Sequence, residues 1–268
     1  MVINDRRMEL TKSEMKEFLD EKVELYNRPA FIESDPISIP HRFKGKEDTE
    51  ISGFLAASIA WGRRDLILRS SERLIDLMDN RPYEFIINAG KDELVTVSRF
   101  VHRTFNGSDC GYFIRGLKHI YSNYGSMEDV ILEGMQQSGS LKEGLAYFRK
   151  IFFSLSHPAR IEKHFADVMK GAAGKRLNMF LRWMVRRDGR GVDFGIWERI
   201  DPSQLYIPLD FHSGNTARTL GILKRKASDW KAVEELTAVL REFDPADPVK
   251  YDFALFGLGV NEQFGSVK

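Results

Sequence analysis

Hydrophobic positions along the chain recur mostly at helical spacing, and alternating strand patterns are nearly absent. Residues 11–26 have apolar side chains at near-helical spacing, namely Met15, Phe18, Leu19, Val23 and Leu25, behind a Thr11 and Glu14 pair with capping-box spacing. The same reasoning predicts helices at 48–61, 65–80, 82–88, 110–123, 127–135, 141–153, 160–170, 175–187, 211–222, 229–242 and 249–260. The pattern therefore predicts an all-α fold, with residues 1–268 forming a single domain of two helical lobes.

Breaker residues and caps divide these helices. Three prolines predict that residues 28–48 are an extended connector, namely Pro29, Pro36 and Pro40. Asp65 follows a Trp-Gly-Arg-Arg interruption and is predicted to be the N-cap of the helix at 65–80. We find no internal repeat and no low-complexity linker that would divide the chain into separate units.

The composition narrows the class of protein. The chain has 40 Lys and Arg residues against 39 Asp and Glu, so its net charge of +1 indicates no partner. Cys110 is the single cysteine, which excludes an internal disulfide and a Cys-ligated zinc or iron–sulfur site. The longest apolar stretch, 54–61, is far shorter than the roughly 20 residues of a membrane span, and residues 1–7 lack a signal-peptide core. We therefore expect a cytoplasmic protein without a membrane partner.

The charge is unevenly distributed. Residues 160–190 contain nine Lys and Arg residues and only three acids. Such an excess is typical of a surface that faces phosphate groups. It is equally typical of a solvated helical face whose acidic partners lie elsewhere in the fold.

Within this basic segment, Gly171 and Gly174 lie between two predicted helices. Glycine allows the positive φ angles of a tight reversal, and the helix that follows presents unpaired N–H groups suited to a phosphate. This is the arrangement of a helix-hairpin-helix nucleic-acid contact, here spanning 160–187. An ordinary glycine-rich link between packed helices has the same sequence.

Lys175 lies in the first turn of the second helix, where the helix dipole disfavours a cation. The position should favour a neutral amine able to attack a sugar C1′ atom, although a lysine there can also simply reach solvent or phosphate. Asp210 follows Pro208 and is predicted to be a helix N-cap that could also stabilise positive charge on a sugar. Asp210 and His212 lack a third metal ligand at any usual spacing, so we expect no metal and no other cofactor.

Two segments of the chain resemble the helix-hairpin-helix–Gly-Pro-Asp DNA glycosylases, of which endonuclease III is a member. Residues 175–178, Lys-Arg-Leu-Asn after the hairpin, resemble the segment with the family's lysine, and residues 208–212, Pro-Leu-Asp-Phe-His, resemble the segment with its aspartate. Residues 54–65 and 251–259 are similar to its early and closing helices. Over about 40–260 the chain looks most like a bacterial family of uncharacterised proteins in this superfamily. The long segment between lysine and aspartate resembles that of archaeal 8-oxoguanine glycosylases.

The resemblance implies a DNA base-excision glycosylase, with or without AP-lyase activity, that acts on a damaged duplex and by analogy on an oxidised purine. It implies Lys175 as nucleophile and Asp210 as its assistant, without an iron–sulfur cluster. Contacts to DNA are expected from Gly171, Gly174, Arg176, Arg182, Arg63 and Arg64. A base pocket or a wedge that fills the gap left by the base is expected from Trp61, Asn178 and His212.

Helical spacing on 175–187 supports the alignment of Lys175 with the lysine of the glycosylase family. Lys175, Asn178, Met179 and Arg182 share one face, which would be free to line a cleft, while the opposite face is predicted core. A shift by one residue would place Arg176 at the nucleophile position, where a guanidinium cannot attack. Trp61 is also a candidate for an ordinary core residue.

Other assignments stay open. Residues 90–165 match no part of the glycosylase pattern and are predicted to form a helical insertion. A non-catalytic nucleic-acid-binding protein with a helix-hairpin-helix, or a helical protein-interaction scaffold, would have a similar sequence pattern. The sequence specifies no oligomeric state.

Overall fold

The computed structural model describes residues 10–264, so the segment 1–7, predicted to lack a signal peptide, lies outside the described residues. Twelve α-helices lie in the described part of the chain: α1 (Lys12–Tyr26), α2 (Lys46–Ser58), α3 (Arg64–Asp76), α4 (Pro82–Asn88), α5 (Lys91–Val97), α6 (Gly107–Asn123), α7 (Met127–Ser138), α8 (Leu141–Phe152), α9 (Lys175–Val185), α10 (Phe211–Thr219), α11 (Trp230–Phe243) and α12 (Tyr251–Asn261). The predicted all-α class is confirmed.

Sheet structure is confined to one short hairpin in residues 10–264. Strands β1 (Val101–His102) and β2 (Phe105–Asn106) pair antiparallel. The hairpin was not predicted, because its two-residue strands are too short for an alternating pattern to show. Helix α5 lies in the segment 90–165, which was predicted to be helical without bounds for this helix. None of the helices described has the length and apolar character needed to span a membrane.

Helix α1 forms as its sequence predicts. The Thr11 hydroxyl accepts a hydrogen bond from the Glu14 N–H at 3.3 Å, and the Glu14 carboxylate accepts one from the Thr11 N–H at 2.8 Å. These two bonds satisfy donors that the first helical turn leaves free. Of the five apolar positions, Met15, Leu19 and Val23 are buried and Phe18 is half-buried, whereas Leu25 is exposed.

The prediction of an extended connector over 28–48 is wrong. Three short 3₁₀ helices lie there instead, Pro29–Ser34, Pro36–Ser38 and Pro40–Arg42. Each begins with a proline, because the fixed φ of proline suits the first turn of a helix and its missing N–H is not needed there. The compact path brings Asp35 back towards the interior, where it is buried.

Asp65 is not the N-cap that its position suggested. Helix α3 begins at Arg64, and Asp65 lies in its first turn, where its carboxylate binds Arg63 at 2.9 Å and Arg69 at 2.8 Å. A carboxylate within the first turn is still favourable, because the amino end of a helix carries partial positive charge.

Buried apolar side chains form two main hydrophobic cores. The first core takes its side chains from α2 to α9 and the loops between them. The second core consists of α1, α10, α11 and α12. Helix α12 joins the two, since its Phe253 belongs to the first core and its Leu255 and Leu258 to the second.

Residues 90–165 are helical, as predicted, and they build much of the first core. Phe54 of α2 lies 6.0 Å from Phe113 of α6 and 5.7 Å from both Phe148 and Phe152 of α8, measured between ring centroids. Aromatic pairs at these separations stabilise a core beyond the area that they bury. The segment is therefore a structural part of the first core.

The helix-hairpin-helix element predicted over 160–187 is not confirmed. Its second helix is present as α9, but in place of the helix 160–170 the chain has a 3₁₀ helix, Ala159–His164, followed by extended backbone at Phe165. The extended conformation turns the Phe165 ring into the first core, 5.3 Å from Phe148 and from Phe152. Packing of this one aromatic ring outweighs the helical pattern.

Helix α6 provides a test of close backbone packing. A Cβ added at Gly107 would lie 1.8 Å from the carbonyl oxygen of Ser98, whereas one added at Gly111 would meet only Leu94, at 3.6 Å. We expect Gly107→Ala to lower the free energy of unfolding by about 2 kcal/mol or more, because backbone must move. Gly111→Ala should raise it by about 0.5–1 kcal/mol through helix propensity. Urea denaturation followed by circular dichroism measures both, and equal effects would contradict the packing described.

Candidate active site

A cleft of about 450 Å³ opens where the two cores meet. Its walls come from the first two 3₁₀ helices, the loop before α3, and helices α3, α9, α10 and α12. The lining residues are Phe31, Asp35, Pro36, Ala60, Trp61, Gly62, Arg64, Ile67, Lys175, Met179, Arg182, Asp210, His212, Asp252, Phe256 and Val260. A cleft of this volume, with apolar walls and a few converging charged groups, is typical of a small-ligand site.

Lys175 and Asp210 meet inside this cleft. The Nζ atom of Lys175 lies 3.6 Å from Oδ2 of Asp210, and their side chains are 30% and 20% exposed. Lys175 is the first residue of α9, and Asp210 is the N-cap of α10. Two helix amino ends, 35 residues apart in the chain, therefore bring an amine and a carboxylate together in a space that a ligand can enter.

The two oxygens of Asp210 have separate partners. Oδ1 accepts a hydrogen bond from the Ser213 N–H at 2.9 Å, which is the predicted capping interaction, and Oδ2 faces Lys175. The cap fixes the orientation of the carboxylate, so its second oxygen is held towards the amine. The negative charge also offsets the unfavourable position of a cation at the amino end of α9.

Arg182 forms the floor of the cleft and is 3% exposed. Its guanidinium binds Asp193 at 3.2 Å, forms an ion pair with Asp252, and lies over the Phe253 ring at 4.3 Å. Burial raises the pKa of Asp252 to about 6. The charge of Arg182 opposes this rise, and the nearby Asp210 carboxylate contributes to it. Arg182 was predicted to contact DNA phosphate. That assignment is corrected, because its donors are held by two buried carboxylates.

Asp35 is a third carboxyl group of the cleft and is 7% exposed. It is the N-cap of the 3₁₀ helix Pro36–Ser38, where Oδ1 accepts a hydrogen bond from the Ile37 N–H at 3.1 Å. Burial raises the pKa of Asp35 above its usual value, although the positive charges of Arg182, Lys175 and Arg64 act in the opposite direction.

The charges of the cleft balance. Three acids and three bases line it, namely Asp35, Asp210, Asp252, Arg64, Lys175 and Arg182. Among residues 10–264 no group of three or more His, Cys, Asp or Glu side chains is arranged to hold a metal ion. The titratable groups that line the cleft include one amine and three carboxyl groups.

The alternative register, with Arg176 at the nucleophile position, disagrees with the geometry. Arg176 turns away from Asp210, donates to the Ser58 carbonyl and lies under the Trp61 ring, 4.8 Å from its centroid. It lines a second cavity of about 180 Å³, and burial lowers its pKa to about 10. Arg176 is half-buried and has no ion pair with a described residue, so its DNA contact stays a prediction.

Trp61 lines the cleft and is held on several sides. Besides Arg176, its ring contacts His102 at 5.1 Å and His164 at 5.7 Å between centroids. A ring packed in this way is suited to a pocket wall. It is not free to act as the wedge that the sequence also suggested.

Asn178 is not part of the cleft, contrary to the prediction from helical spacing. It is buried, and its Nδ2 donates to the Ala173 carbonyl of the hairpin at 3.3 Å. Helical spacing places it correctly on the face of Lys175 and Met179, but the hairpin folds over that part of the face. Asn178 therefore supports the turn that precedes α9.

The remaining predicted residues lie around the cleft. His212 and Arg64 line it, with Arg64 5.3 Å above the Phe256 ring, while Arg63 is exposed and paired with Asp65. Gly171 and Gly174 have φ angles of +90° and +62°, the left-handed conformations that the hairpin was predicted to need. The Gly171 carbonyl accepts a hydrogen bond from the Trp230 N–H at 3.0 Å, which attaches the hairpin to α11.

The basic excess of segment 160–190 is largely neutralised by acids elsewhere in the fold. Arg160 pairs with Asp109, Arg186 with Asp193 and Asp247, and Arg190 with Glu24. Arg186 is itself buried. The segment is therefore not a continuous phosphate-facing surface. The alternative interpretation, in which the acidic partners of these residues lie elsewhere in the fold, is the one that the ion pairs support.

Sequence reasoning missed three residues of the site. Asp35 and Asp252 line the cleft. Asp35 precedes Pro36, a pattern typical of a helix start, whereas Asp252 had no sequence signal that we recognised. Phe211 lies between Asp210 and His212 and is 72% exposed.

A family model described as "Protein of unknown function (DUF2400)" matches residues 35–261, which is most of the chain. The chain belongs to this family. Its match includes both helix amino ends of the cleft, all three cleft carboxyl groups and the hairpin of this DUF2400 protein. No curated protein and no solved structure matches the chain.

The raised pKa of Asp252 makes stability depend on pH. A buried carboxyl group whose pKa rises from 3.8 in the unfolded chain to about 6 in the fold destabilises the protein increasingly as pH rises between these values. We expect Asp252→Asn to remove this effect. The difference in unfolding free energy, variant minus wild type, should rise by about 2 kcal/mol from pH 4 to pH 7.

Asp65→Asn is the matched control, because hydrogen bonding to Arg63 lowers the pKa of this exposed group. A lowered pKa adds stability above the unfolded value, so the corresponding difference should fall between acid and neutral pH. Urea titrations at a series of pH values measure both variants. A flat difference for Asp252→Asn would contradict the burial described for this carboxyl group.

Proposed function

We propose that this protein is a DNA base-excision glycosylase with AP-lyase activity. The observation that carries the proposal is the Lys175 amine, 3.6 Å from the Asp210 carboxylate within an accessible cleft. Catalysis through a covalent amine requires this pair of groups: a nucleophile, and a base held beside it. The resemblance of segments 175–178 and 208–212 to the lysine and aspartate segments of DNA glycosylases supports the same assignment.

The proposed reaction begins when the Lys175 ammonium group loses a proton to water and becomes a neutral amine. The Nζ–C1′ bond forms while the C1′–N bond breaks, and the electron pair of the broken bond leaves with the base. Asp210 accepts the proton that the substituted amine loses. The C1′–O4′ bond then opens, O4′ takes that proton from Asp210, and a protonated imine joins lysine to sugar. While the C1′–N bond breaks, the negative charge of Asp210 stabilises the positive charge that develops on the sugar.

The cleft has the properties that an everted nucleotide needs. Its volume of about 450 Å³ lies in the range of small-ligand sites, and Phe31, Trp61 and Phe256 supply aromatic surface. A flipped base is held by stacking on such surfaces and by contacts to its polar edge. The balanced charges of the cleft suit a neutral base better than a second phosphate group.

Contacts to the duplex are proposed at the rim. Arg63 and Phe211 are both exposed, and Arg64 lines the cleft. A planar aromatic group stacks on bases, and a guanidinium binds phosphate. The hairpin glycines Gly171 and Gly174 keep their proposed role as a backbone contact. The length of the segment between Lys175 and Asp210 favours an oxidised purine, through its similarity to archaeal 8-oxoguanine glycosylases.

Borohydride trapping on a duplex with an abasic site tests the covalent step. We expect wild type to form a reduced protein–DNA adduct, because hydride adds to the imine carbon and makes the bond permanent. Lys175→Gln should abolish the adduct, and Arg176→Gln should retain it, since Arg176 faces away from Asp210. An adduct that persists in Lys175→Gln, or none with wild type, would refute the mechanism. Duplex binding without an adduct would instead indicate a non-catalytic nucleic-acid-binding protein.

Variants of Asp210 separate its two roles. Asparagine caps a helix as well as aspartate does, so Asp210→Asn should keep the stability of the fold and slow trapping by about 100-fold or more. Asp210→Ala should slow trapping similarly and also lower the free energy of unfolding by about 1 kcal/mol. Single-turnover trapping rates and urea denaturation, measured on the same preparations, compare the two. Full trapping by Asp210→Asn would exclude the carboxylate from the reaction.

Phe211 provides a test of the duplex contact. If its ring stacks on DNA, Phe211→Ser should weaken binding to an abasic-site duplex by about 10-fold or more, since one stacked base contributes about 1–3 kcal/mol. Val95→Ser is the control, because Val95 is 67% exposed on α5 and does not line the cleft. Fluorescence anisotropy at low salt measures both affinities. Equal affinities of the two variants would place the DNA elsewhere.

A further inference from the structure

We infer that Asp35 is the general acid that protonates the departing base, and that the base is a purine. This inference rests on the proposed glycosylase function and adds a residue that the lysine and aspartate pair does not supply. In the reaction proposed above, neither Lys175 nor Asp210 gives a proton to the departing base. The third carboxyl group of the cleft would supply that proton.

The first support is the position of the Asp35 oxygens. Oδ1 accepts the Ile37 N–H, and no other side-chain hydrogen bond of Asp35 occurs among the described residues. Asp35 is among the residues that line the cleft, and its Oδ2 accepts no hydrogen bond from a described residue. Asp35 is therefore a cleft residue that is only 7% exposed and has one carboxyl oxygen without a hydrogen-bond partner in the described part of the chain.

The second support is that the other two carboxyl groups are engaged. Asp210 lies 3.6 Å from the Lys175 amine, and Asp252 forms an ion pair with Arg182. Asp35 forms no ion pair within residues 10–264. Each of these two groups already holds a carboxyl oxygen against a cation, whereas Asp35 has no such partner among the described residues and its carboxyl group stays available to a ligand. Asp35 is the cleft group best placed to give a proton away.

The charged groups around Asp35 come from several elements. Lys175 and Arg182 on α9 and Arg64 on α3 oppose protonation, and the Asp210 and Asp252 carboxylates on α10 and α12 line the same cleft. Burial outweighs the three cations, and the pKa of Asp35 remains above its ordinary value. This places more of Asp35 in the acid form near neutral pH than an exposed aspartate would have.

The proposed step balances as follows. As the C1′–N9 bond breaks, its electron pair moves into the base, and a ring nitrogen of the purine, N3 or N7, takes the Asp35 proton. The O–H bond of Asp35 breaks, an N–H bond of the purine forms, and Asp35 is left as a carboxylate that regains its proton from water. Uracil and thymine derivatives offer only carbonyl oxygens to the acid, which are weaker bases than a purine ring nitrogen, so an acid at this position favours a purine.

Asp35→Asn tests the assignment and preserves the N-cap, since asparagine accepts the same Ile37 N–H. Two single-turnover assays are compared. The first measures base release from duplexes with one 8-oxoguanine, hypoxanthine or xanthine, or with uracil or thymine glycol. The second measures borohydride trapping on a preformed abasic site, where no base remains to be protonated. We expect about 100-fold slower purine release and unchanged trapping.

Asp201→Asn is the matched control. Asp201 also precedes a proline and caps a short 3₁₀ helix, Pro202–Gln204, by accepting the Ser203 N–H at 2.8 Å, but it does not line the cleft. This variant should leave both assays unchanged. Asp35→Glu, which restores an acid, should recover part of the purine release. The wild-type rate of purine release should fall as pH rises through the pKa of Asp35, and this decline should disappear in Asp35→Asn.

The outcomes distinguish this inference from the proposed function. Absence of any wild-type adduct on the abasic site would overturn the glycosylase proposal itself. An adduct with release of pyrimidines only, or of no base, would overturn the purine assignment and leave the lyase chemistry in place. If Asp35→Asn lost purine release and trapping equally, Asp35 would have a structural role. If it lost neither activity, Asp35 would have no role in the reaction. Either result would overturn the role of Asp35 as acid.

Discussion

The site depends on the meeting of two helix amino ends across one cleft. A lysine at the start of α9 is unfavourable on its own, because the partial positive charge of the helix repels its ammonium group. Asp210 removes this penalty with one oxygen and caps α10 with the other. The amine and the carboxylate therefore hold each other in place, and their separation is set by the packing of whole helices and not by flexible loops.

Buried ion pairs fix the floor beneath them. Arg182 and Arg186 lie on α9, and both bind the buried Asp193, while Arg182 also binds Asp252 on α12 and Arg186 binds Asp247 just before it. Removing one partner from such a network leaves an uncompensated charge in the interior, which is strongly unfavourable. The network thus specifies how α9 lies against α12. The same packing gives the cleft its fixed shape and makes Arg182 and Arg186 unavailable to a phosphate.

The proline-rich connector contributes the remaining acid. Because each of its three prolines begins a 3₁₀ helix, the chain stays compact between α1 and α2 and carries Asp35 into the cleft. Capping of Pro36–Ser38 then holds the Asp35 carboxyl group with one oxygen free. The three carboxyl groups of the cleft differ in their partners, and this difference, more than their number, gives each a separate proposed task.

The sequence by itself determined the features that depend on near neighbours. The caps at Thr11 and Asp210, the left-handed glycines at 171 and 174 and most helices follow from local hydrogen bonding and backbone sterics. The pairing of Lys175 with Asp210 was expected from a family resemblance and not from periodicity. Only the tertiary structure decided what covers each helix face: it buried Asn178 and Arg182, bent 160–170 around Phe165, and placed Asp35 and Asp252 beside the amine. These outcomes depend on contacts between residues far apart in the chain, whose packing and desolvation energies no local pattern records.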